Sequence, residues 1–339
     1  DNRQAKISTI LASGDKNIDL ISVNDEMISE FKHKGYLEPL EKNVMTEEVR
    51  DSFPQKYLES ICEENGHIYS VPFQMDIMMF WVNQELLKQA GLDEIKNTGD
   101  FDILQKSLKN PDQYAYGDAW ENTHVYNSLS QFVNFWGGDY FDWTDPKTKD
   151  AARYMKSMLD EKNTSPAQFV DQYEQMEEEF IRGKYGCVFM YTSALGTFLD
   201  ADVYGKNKIH MAPLPVLHKK KATNIATWQY VLNNASENKD AAVRFLQYAA
   251  GYEGSTEYAK IMKSYPARVD VIENEDIDLE GIDMIRKYLR EYTLNARPLC
   301  ENSMGAVSDM GKLFQGYVLG QCEEDSFFEQ AQNCINTYY

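Results

Sequence analysis

The sequence lacks any apolar run long enough to cross a membrane. Its densest run, from Val71 to Val82, contains Gln74 and Asp76, whereas a membrane-spanning helix needs about 20 predominantly apolar residues. The chain opens with Asp1-Asn2-Arg3-Gln4, which contains no apolar signal-peptide core. A mature exported protein and a cytosolic protein would both have this pattern, so the compartment stays open at this point.

Basic residues are scarce. The chain has 34 Lys and Arg against 54 Asp and Glu, a formal net charge of −20. A field of that sign repels phosphate backbones, which argues against a nucleic-acid partner and against adsorption to anionic lipid. Hydrophobic residues make up 43% of the 339 residues, which is typical of a globular chain of about two domains.

The motifs of the common enzyme classes are missing. We find no GxGxxG, GxxxxGK[ST], GxSxG or HExxH, so dinucleotide, nucleotide, hydrolase and zinc-protease sites all lack their sequence signature. The histidines lie too far apart for metal-ligand spacing, at His33, His67, His124, His210 and His218. We therefore predict no metal ion and no cofactor.

No CxxC pair occurs among the five cysteines. An odd number leaves at least one free thiol in a monomer, so we predict no disulfide framework. The cysteines are Cys62, Cys187, Cys300, Cys322 and Cys334.

Strand and helix patterns alternate along the chain. The predicted strands are Asp19–Val23, Gly66–Pro72, Ile77–Val82, Tyr185–Tyr191, Lys208–Leu214 and Thr227–Leu232. The predicted helices are Asp25–Lys34, Gln84–Ala90, Tyr126–Phe135, Phe169–Ile181, Lys239–Ala250, Gly305–Leu319 and Ser326–Asn336. This alternation predicts an α/β protein with mixed, mainly parallel sheets flanked by helices.

Polar and aromatic side chains stand at the ends of the predicted strands, where open α/β sheets bind ligands. Aromatic rings stack on the apolar face of a sugar, while carboxylates and amides bind its hydroxyls. Each tryptophan also suits a core position, so both interpretations stay open. The candidate binding residues are Asn24, Asp25, Glu26, Gln74, Asp76, Trp120, Glu121, Tyr191, Thr192 and Trp228.

An ordered set of short segments carries a family resemblance. It includes Gly66–Phe73 (GHIYSVPF), Gly137–Asp139 (GGD), Phe180–Val188 (FIRGKYGCV), Asn238–Leu246 (NKDAAVRFL) and Tyr265–Arg268 (YPAR). In this order they resemble the extracellular solute-binding proteins of ABC sugar importers, the group that includes maltose-binding protein. The resemblance covers most of the chain.

The resemblance implies a two-lobed periplasmic-binding-protein fold that closes on its ligand by a hinge. One lobe would hold residues 1–78 and 222–275, the other residues 79–221 and 276–339. It implies a monomer without catalysis that binds a di- or oligosaccharide and delivers it to an ABC permease. The expected place is the extracellular side of a bacterial membrane, with a lipid anchor or free in the periplasm. We also expect the family's first strand, export signal and anchor to be missing before Asp1.

The resemblance also assigns roles to single residues. Asn24, Asp25 and Glu26 would bind sugar hydroxyls, and Asp76 would supply a carboxylate. Contacts from the other lobe would come from Trp120, Glu121, Tyr191 and Thr192. Ser193 and Leu195 replace aromatic residues of the family pattern, which departs from maltose-like stacking. Trp228 and Arg268 would line the cleft, although Arg268 fits a salt bridge within one lobe equally well.

Two alternative functions remain open from the sequence. The same fold could bind another polar solute, such as a polyol or an acidic sugar. A secreted carbohydrate-active enzyme would instead use two of the carboxylates Asp25, Asp76 and Glu121, with one raised pKa.

Overall fold

A computed structural model describes residues 2–339 of the chain. The described residues form nine strands: β1 (Leu20–Asn24), β2 (Glu63–Glu64), β3 (His67–Ile68), β4 (Val71–Asn83), β5 (Tyr114–Gly117), β6 (Tyr185–Tyr191), β7 (Ile209–Ala212), β8 (Ala222–Leu232) and β9 (Thr293–Ala296).

Helices outnumber strands. In chain order, those of the described residues are α1 (Asn2–Ala12), α2 (Asp25–Phe31), α3 (Glu47–Arg50), α4 (Gln55–Tyr57), α5 (Gln84–Gln89), α6 (Thr98–Ser107), α7 (Val125–Trp136), α8 (Pro146–Asp160), α9 (Tyr173–Ile181), α10 (Ala194–Asp200), α11 (Lys239–Ala250), α12 (Tyr252–Met262), α13 (Val269–Ile272), α14 (Ile282–Glu291), α15 (Ser303–Val318) and α16 (Glu324–Tyr338).

The chain divides into two compact units. Unit 1 comprises the described residues up to Asp76, with Ile225–Arg286 and Leu299–Ser303. Unit 2 comprises Ile77–Asn224, Lys287–Pro298 and Met304–Tyr339. The chain passes from one unit to the other inside β4 and returns inside β8. The lobe boundaries expected from the resemblance stay a prediction.

Unit 1 is built on the pairing of β1 with β8. The two strands are antiparallel, with Leu20 opposite Leu232 and Asn24 opposite Trp228. Helix α2 follows β1 directly, because Asn24 caps it: its Oδ1 accepts a hydrogen bond of 3.1 Å from the N–H of Met27. The sequence after β1 therefore turns at once into a helix, as the polar triplet at residues 24–26 predicts.

Unit 2 has a mixed sheet. Its part of β4 runs antiparallel to β6 and to β7, whereas β5 runs parallel to β6. Because β5 and β6 are parallel, their carboxyl ends meet at the same edge. Residues 118–121, which follow β5, and residues 191–192, at the end of β6, therefore begin at that edge.

Most predicted elements are confirmed, some to the residue. The strand Tyr185–Tyr191 and the helix Lys239–Ala250 have the predicted bounds. The predicted helix Phe169–Ile181 is wrong at its start, since Pro166–Val170 forms a 3₁₀ turn and α9 begins at Tyr173. The expectation of mainly parallel sheets is also wrong for the described strand pairs, because β1–β8, β4–β6 and β4–β7 are antiparallel.

Candidate functional site

In unit 1, the polar triplet after β1 is largely enclosed. Asp25 is fully buried, and Asn24 and Glu26 are half-buried. The side-chain oxygen of Asn24 already accepts the hydrogen bond that caps α2. Both acids lie in the first turn of α2, where the helix dipole favours negative charge. The triplet thus has a structural role in starting α2, and its binding role stays a prediction.

Gln74 and Asp76 lie on β4, just before the chain leaves unit 1. The Oε1 of Gln74 accepts a hydrogen bond of 2.9 Å from the hydroxyl of Tyr258. The side chain of Asp76 is buried. These two residues have the same parity on the strand, so their side chains project from the same face.

The two remaining candidates of unit 1 make contacts inside that unit. The guanidinium of Arg3 lies over the indole of Trp228, 4.8 Å from the ring centroid. Arg268 is buried, with two hydrogen bonds to the carboxylate of Asp270 (3.0 and 2.7 Å). It also donates to the carbonyl of Ala250 and to Ser52 Oγ, both at 2.8 Å. These contacts agree with the interpretation of Arg268 as a salt-bridge residue within one unit.

We therefore expect Arg268→Met to reduce stability and to leave ligand affinity nearly unchanged. The variant loses hydrogen bonds to a carboxylate and a carbonyl, an effect of about 2 kcal/mol on the free energy of unfolding. Urea denaturation measures that loss, and calorimetric titration with a ligand found by the screen described below measures affinity. A large loss of affinity in a variant that remains folded would contradict this structural role.

In unit 2, Trp120 belongs to the core. Its indole is fully buried between Phe169 and Phe314, with ring centroids at 5.5 and 5.4 Å. The indole N–H donates to Asp118 Oδ2 at 2.9 Å. The ring is therefore held inside unit 2 by packing and by a hydrogen bond. Its predicted contact with ligand has no support from this placement.

Glu121 is the next residue, and it is partly exposed. Its Oε2 accepts hydrogen bonds from the backbone N–H and the hydroxyl of Thr123, at 2.9 and 2.6 Å. The same oxygen lies 3.0 Å from His124 Nδ1. Burial alone would raise the pKa of Glu121, but these hydrogen bonds outweigh it and lower the pKa below its usual value.

This lowered pKa predicts how acid acts on the protein. A carboxylate with a lowered folded-state pKa contributes stability above its unfolded pKa, and the contribution is lost as the pH falls through the folded value. At pH 6 we expect Glu121→Gln to have a lower melting temperature than the wild type. The two proteins should converge as the pH falls through the lowered pKa of folded Glu121, because that side chain then loses its charge. Thermal scans from pH 6 to pH 3 check this, and a constant difference would contradict it.

Three tyrosines are linked to Glu121 through a chain of contacts that begins at His124. Tyr191 ends β6 and donates a hydrogen bond of 3.0 Å to Asn127 Oδ1. Tyr173, the first residue of α9, stands perpendicular to Tyr191 with ring centroids 5.9 Å apart. His124 lies 5.3 Å from the ring of Tyr173, also nearly perpendicular. Tyr126 lies in the first turn of α7.

A buried arginine completes this group. Arg297 follows β9 and donates a hydrogen bond of 2.7 Å to the hydroxyl of Tyr126. Its guanidinium lies 6.0 Å from the ring centroids of both Tyr126 and Tyr191. Burial lowers the pKa of Arg297 to about 9. We call Glu121, His124, Tyr126, Tyr173, Tyr191 and Arg297 the tyrosine cluster.

The tyrosine cluster was only partly predictable. Glu121 and Tyr191 stood out because they follow strand or turn signals. Thr192, the other predicted residue here, is buried, and its hydroxyl accepts from the N–H of Ile77 at 3.2 Å. No local sequence pattern marks Tyr126 as a site residue. Tyr173 falls inside the predicted helix 169–181, whose start is wrong, so the pattern does not place it at a helix start.

The potential metal ligands among the described residues are dispersed. No group of three or more His, Cys, Asp or Glu side chains there could hold a metal ion. The five cysteines are free thiols, and burial raises the pKa of Cys62 to about 12. Between residues 2 and 339, no helix has the length and apolar character required to cross a membrane.

Solved structures from several bacteria share this fold. A solute-binding protein of an ABC transporter from Thermotoga lettingae, bound with α-D-tagatose, is 18% identical with a TM-score of 0.83. The maltose-bound MalE3 of T. maritima is 16% identical with a TM-score of 0.81. The two comparisons cover 98% and 99% of this chain, and 88% of each of those chains. The chain therefore has the periplasmic-binding-protein fold.

The curated relatives match this chain over a smaller share of their own length. An arabinooligosaccharide-binding protein of Bacillus subtilis is 22% identical over 286 residues, 80% of this chain and 65% of that protein. A probable amino-acid ABC transporter periplasmic-binding protein of Sinorhizobium fredii is 24% identical over 239 residues, 67% of this chain and 54% of that protein. The chain thus spans between half and two thirds of these relatives.

The family comparison agrees with the fold. The family model for bacterial extracellular solute-binding proteins matches residues 1–256 of the 339. Since this match covers well over half of the chain, the protein belongs to the family of bacterial extracellular solute-binding proteins.

Proposed function

We propose that this protein binds a di- or oligosaccharide and delivers it to the permease of an ABC transporter. The observation that carries the proposal is the part of the tyrosine cluster that is accessible, where the half-buried ring of Tyr173 and the partly exposed carboxylate of Glu121 both contact His124. Rings of this kind stack on the apolar face of a sugar, and the carboxylate Glu121 accepts hydrogen bonds from its hydroxyls. The B. subtilis relative, named for arabino-oligosaccharides, supports the same ligand class.

A thermal-shift screen of the purified chain tests the proposal. The panel contains arabino- and malto-oligosaccharides, the corresponding monosaccharides, polyols and uronic acids. A ligand present at 100 times its Kd should stabilise the protein by about 2.7 kcal/mol, a shift of a few degrees in melting temperature. A panel on which no saccharide shifts the melting temperature would overturn the saccharide proposal.

One observation favours a second candidate within the same fold. The S. fredii relative is named for amino acids, so the panel also includes the common L-amino acids. A shift with an amino acid and with no saccharide would replace the proposed ligand by this polar solute. The family assignment would stand in either case.

The enzyme alternative would require a carboxyl group with a raised pKa to act as general acid. Glu121 has a lowered pKa instead, which does not suit that role. Asp76→Asn separates the two functions: an enzyme would lose turnover by orders of magnitude, whereas a binding protein would lose about 1–3 kcal/mol of affinity. Hydrolysis of any panel saccharide by the wild type would overturn the proposal of binding without catalysis.

The family is extracellular, which agrees with a protein that captures solutes outside the membrane. We further propose that the protein acts as a monomer, held at the membrane by a lipid anchor or free in the periplasm. Sedimentation of the purified chain tests the first point. Fractionation of cells that express the natural gene tests the second.

A further inference from the structure

Unit 1 carries an aromatic pocket that the proposed function does not use. It has a volume of about 270 Å³, slightly smaller than a typical site for a drug-sized molecule. Phe73 and Tyr230 stack at its base, with centroids 4.1 Å apart and planes 20° apart. Tyr258 stands at 74° to Phe73, and Phe245 at 76° to Tyr230, each with a centroid distance of 5.4 Å. These four residues and others that line the pocket all belong to unit 1.

The remaining lining comes from α11 and α12. Tyr248 adds a fifth ring, and Ile261 and Met262 form an exposed apolar rim. The turn between the two helices is tight, because a Cβ on Gly254 would lie 2.0 Å from the carbonyl oxygen of Tyr248. The rings are therefore held by a close helix–helix turn, and the pocket is built into the packing of this unit.

The charge in the pocket lining is negative. Among the described residues that line the pocket, Glu257 is the only charged one, and no lysine, arginine or histidine contributes. Lys260 lies on α12 and Lys263 follows its last residue, but neither lysine lines the pocket. Burial raises the pKa of Tyr258 to about 12, so its hydroxyl stays neutral at pH 7. The net charge of −20 adds a field that attracts cations.

We propose that this pocket binds a small cation with apolar substituents, such as a trimethylammonium group. Aromatic rings attract a cation through their negative faces, and this attraction is stronger in a desolvated site. A quaternary ammonium group has no N–H to hydrate, so it loses its water at little cost. The methyl groups of such a cation would pack on Ile261 and Met262. The carboxylate of Glu257, at the rim, would attract its positive charge. A sugar would find few hydrogen-bonding groups here, so the site differs in chemistry from the tyrosine cluster.

The test compares choline with its uncharged carbon isostere, dimethylbutanol, by calorimetric titration of the whole chain. The two molecules share one shape, so only the charge differs. Choline should bind at least about tenfold more tightly, as expected from a partly desolvated cation–π site. Equal affinity for the isostere, or no binding of choline, would overturn the proposal.

Two variants locate the site. Phe245→Leu removes a ring that is 45% exposed, and Glu257→Gln removes only the charge at the rim. Both should weaken choline binding, by about five- to tenfold and about threefold respectively. The matched control is Phe141→Leu, an exposed phenylalanine of unit 2 that is 43% exposed, and it should bind choline like the wild type. Unchanged affinity in both pocket variants would place choline elsewhere and overturn the proposal.

A trimethylammonium group could come from a free solute or from a lipid headgroup. Flotation with phosphatidylcholine vesicles distinguishes the two sources. Vesicle binding that free choline abolishes supports the pocket with a lipid as the source, and choline binding without vesicle binding supports a free solute. The saccharide screen is an independent readout, because neither variant touches the tyrosine cluster.

Discussion

Replacing Asp118 with alanine should lower the free energy of unfolding by about 3–5 kcal/mol. Asp118 is fully buried in unit 2 and accepts hydrogen bonds from Tyr116, Trp120 and Ser128, at 2.7, 2.9 and 2.6 Å. The N–H of Ala119 donates a fourth at 2.8 Å. Alanine would leave these buried donors without an acceptor, and each such group costs about 1–3 kcal/mol. Urea denaturation monitored by circular dichroism measures the loss.

Two comparisons separate this network from a general effect of removing charge. Asp118→Asn keeps one oxygen but turns an N–H₂ group towards donors, so it should also destabilise, by somewhat less. Asp112→Ala removes an exposed aspartate of the same unit and should change stability by less than about 0.5 kcal/mol. A similar loss for Asp112→Ala and Asp118→Ala would contradict the argument.

The Asp118 network also explains why the sequence allows two interpretations of Trp120. A tryptophan next to a glutamate after a turn-rich stretch is a pattern of sugar sites, but the same pattern arises when the indole N–H has a buried acceptor. That acceptor, Asp118, lies only two residues away. Sequence alone does not reveal which face of the short segment after β5 points into the core. The core interpretation of Trp120, left open from the sequence, is the one that its burial supports.

Local sequence patterns predict the helices and strands far better than they predict which side chains come together in the tyrosine cluster. The strand Tyr185–Tyr191 is a continuous apolar run between turn signals, and the helix Lys239–Ala250 has its periodic apolar face and a glycine after its last residue. Both signals lie within the segment itself, so the bounds could be read from it. The predicted start of α9 is wrong because Phe169 and Val170 fit the helical period. In the structure they belong to the 3₁₀ turn Pro166–Val170.

The tyrosine cluster could not be predicted in the same way. Tyr126 and Arg297 are 171 residues apart in sequence, yet they share a hydrogen bond of 2.7 Å. Nothing in the sequence near either residue marks the other. Such a pair becomes visible only in the folded structure, where the start of α7 and the segment after β9 are neighbours.

Within this cluster, Tyr173 is the residue whose loss should cost the most ligand affinity. Its ring is half-buried, whereas Tyr191 is only 5% exposed, so Tyr173 offers more surface to a sugar. If the proposed function holds, Tyr173→Ala removes an aromatic surface with its stacking and apolar burial. We expect Kd for the bound saccharide to rise by about tenfold to a hundredfold. Isothermal titration with the best ligand of the thermal-shift panel measures it.

Tyr173→Phe separates the ring from the hydroxyl, because it keeps the stacking surface. It should keep most of the affinity that Tyr173→Ala loses. Tyr248→Ala is the matched control, since it removes a half-exposed tyrosine of unit 1 that lines the aromatic pocket instead. It should bind saccharide like the wild type and choline more weakly. Wild-type saccharide affinity in Tyr173→Ala would contradict stacking at this position, and would move the sugar contact from the tyrosine cluster to other residues of the chain.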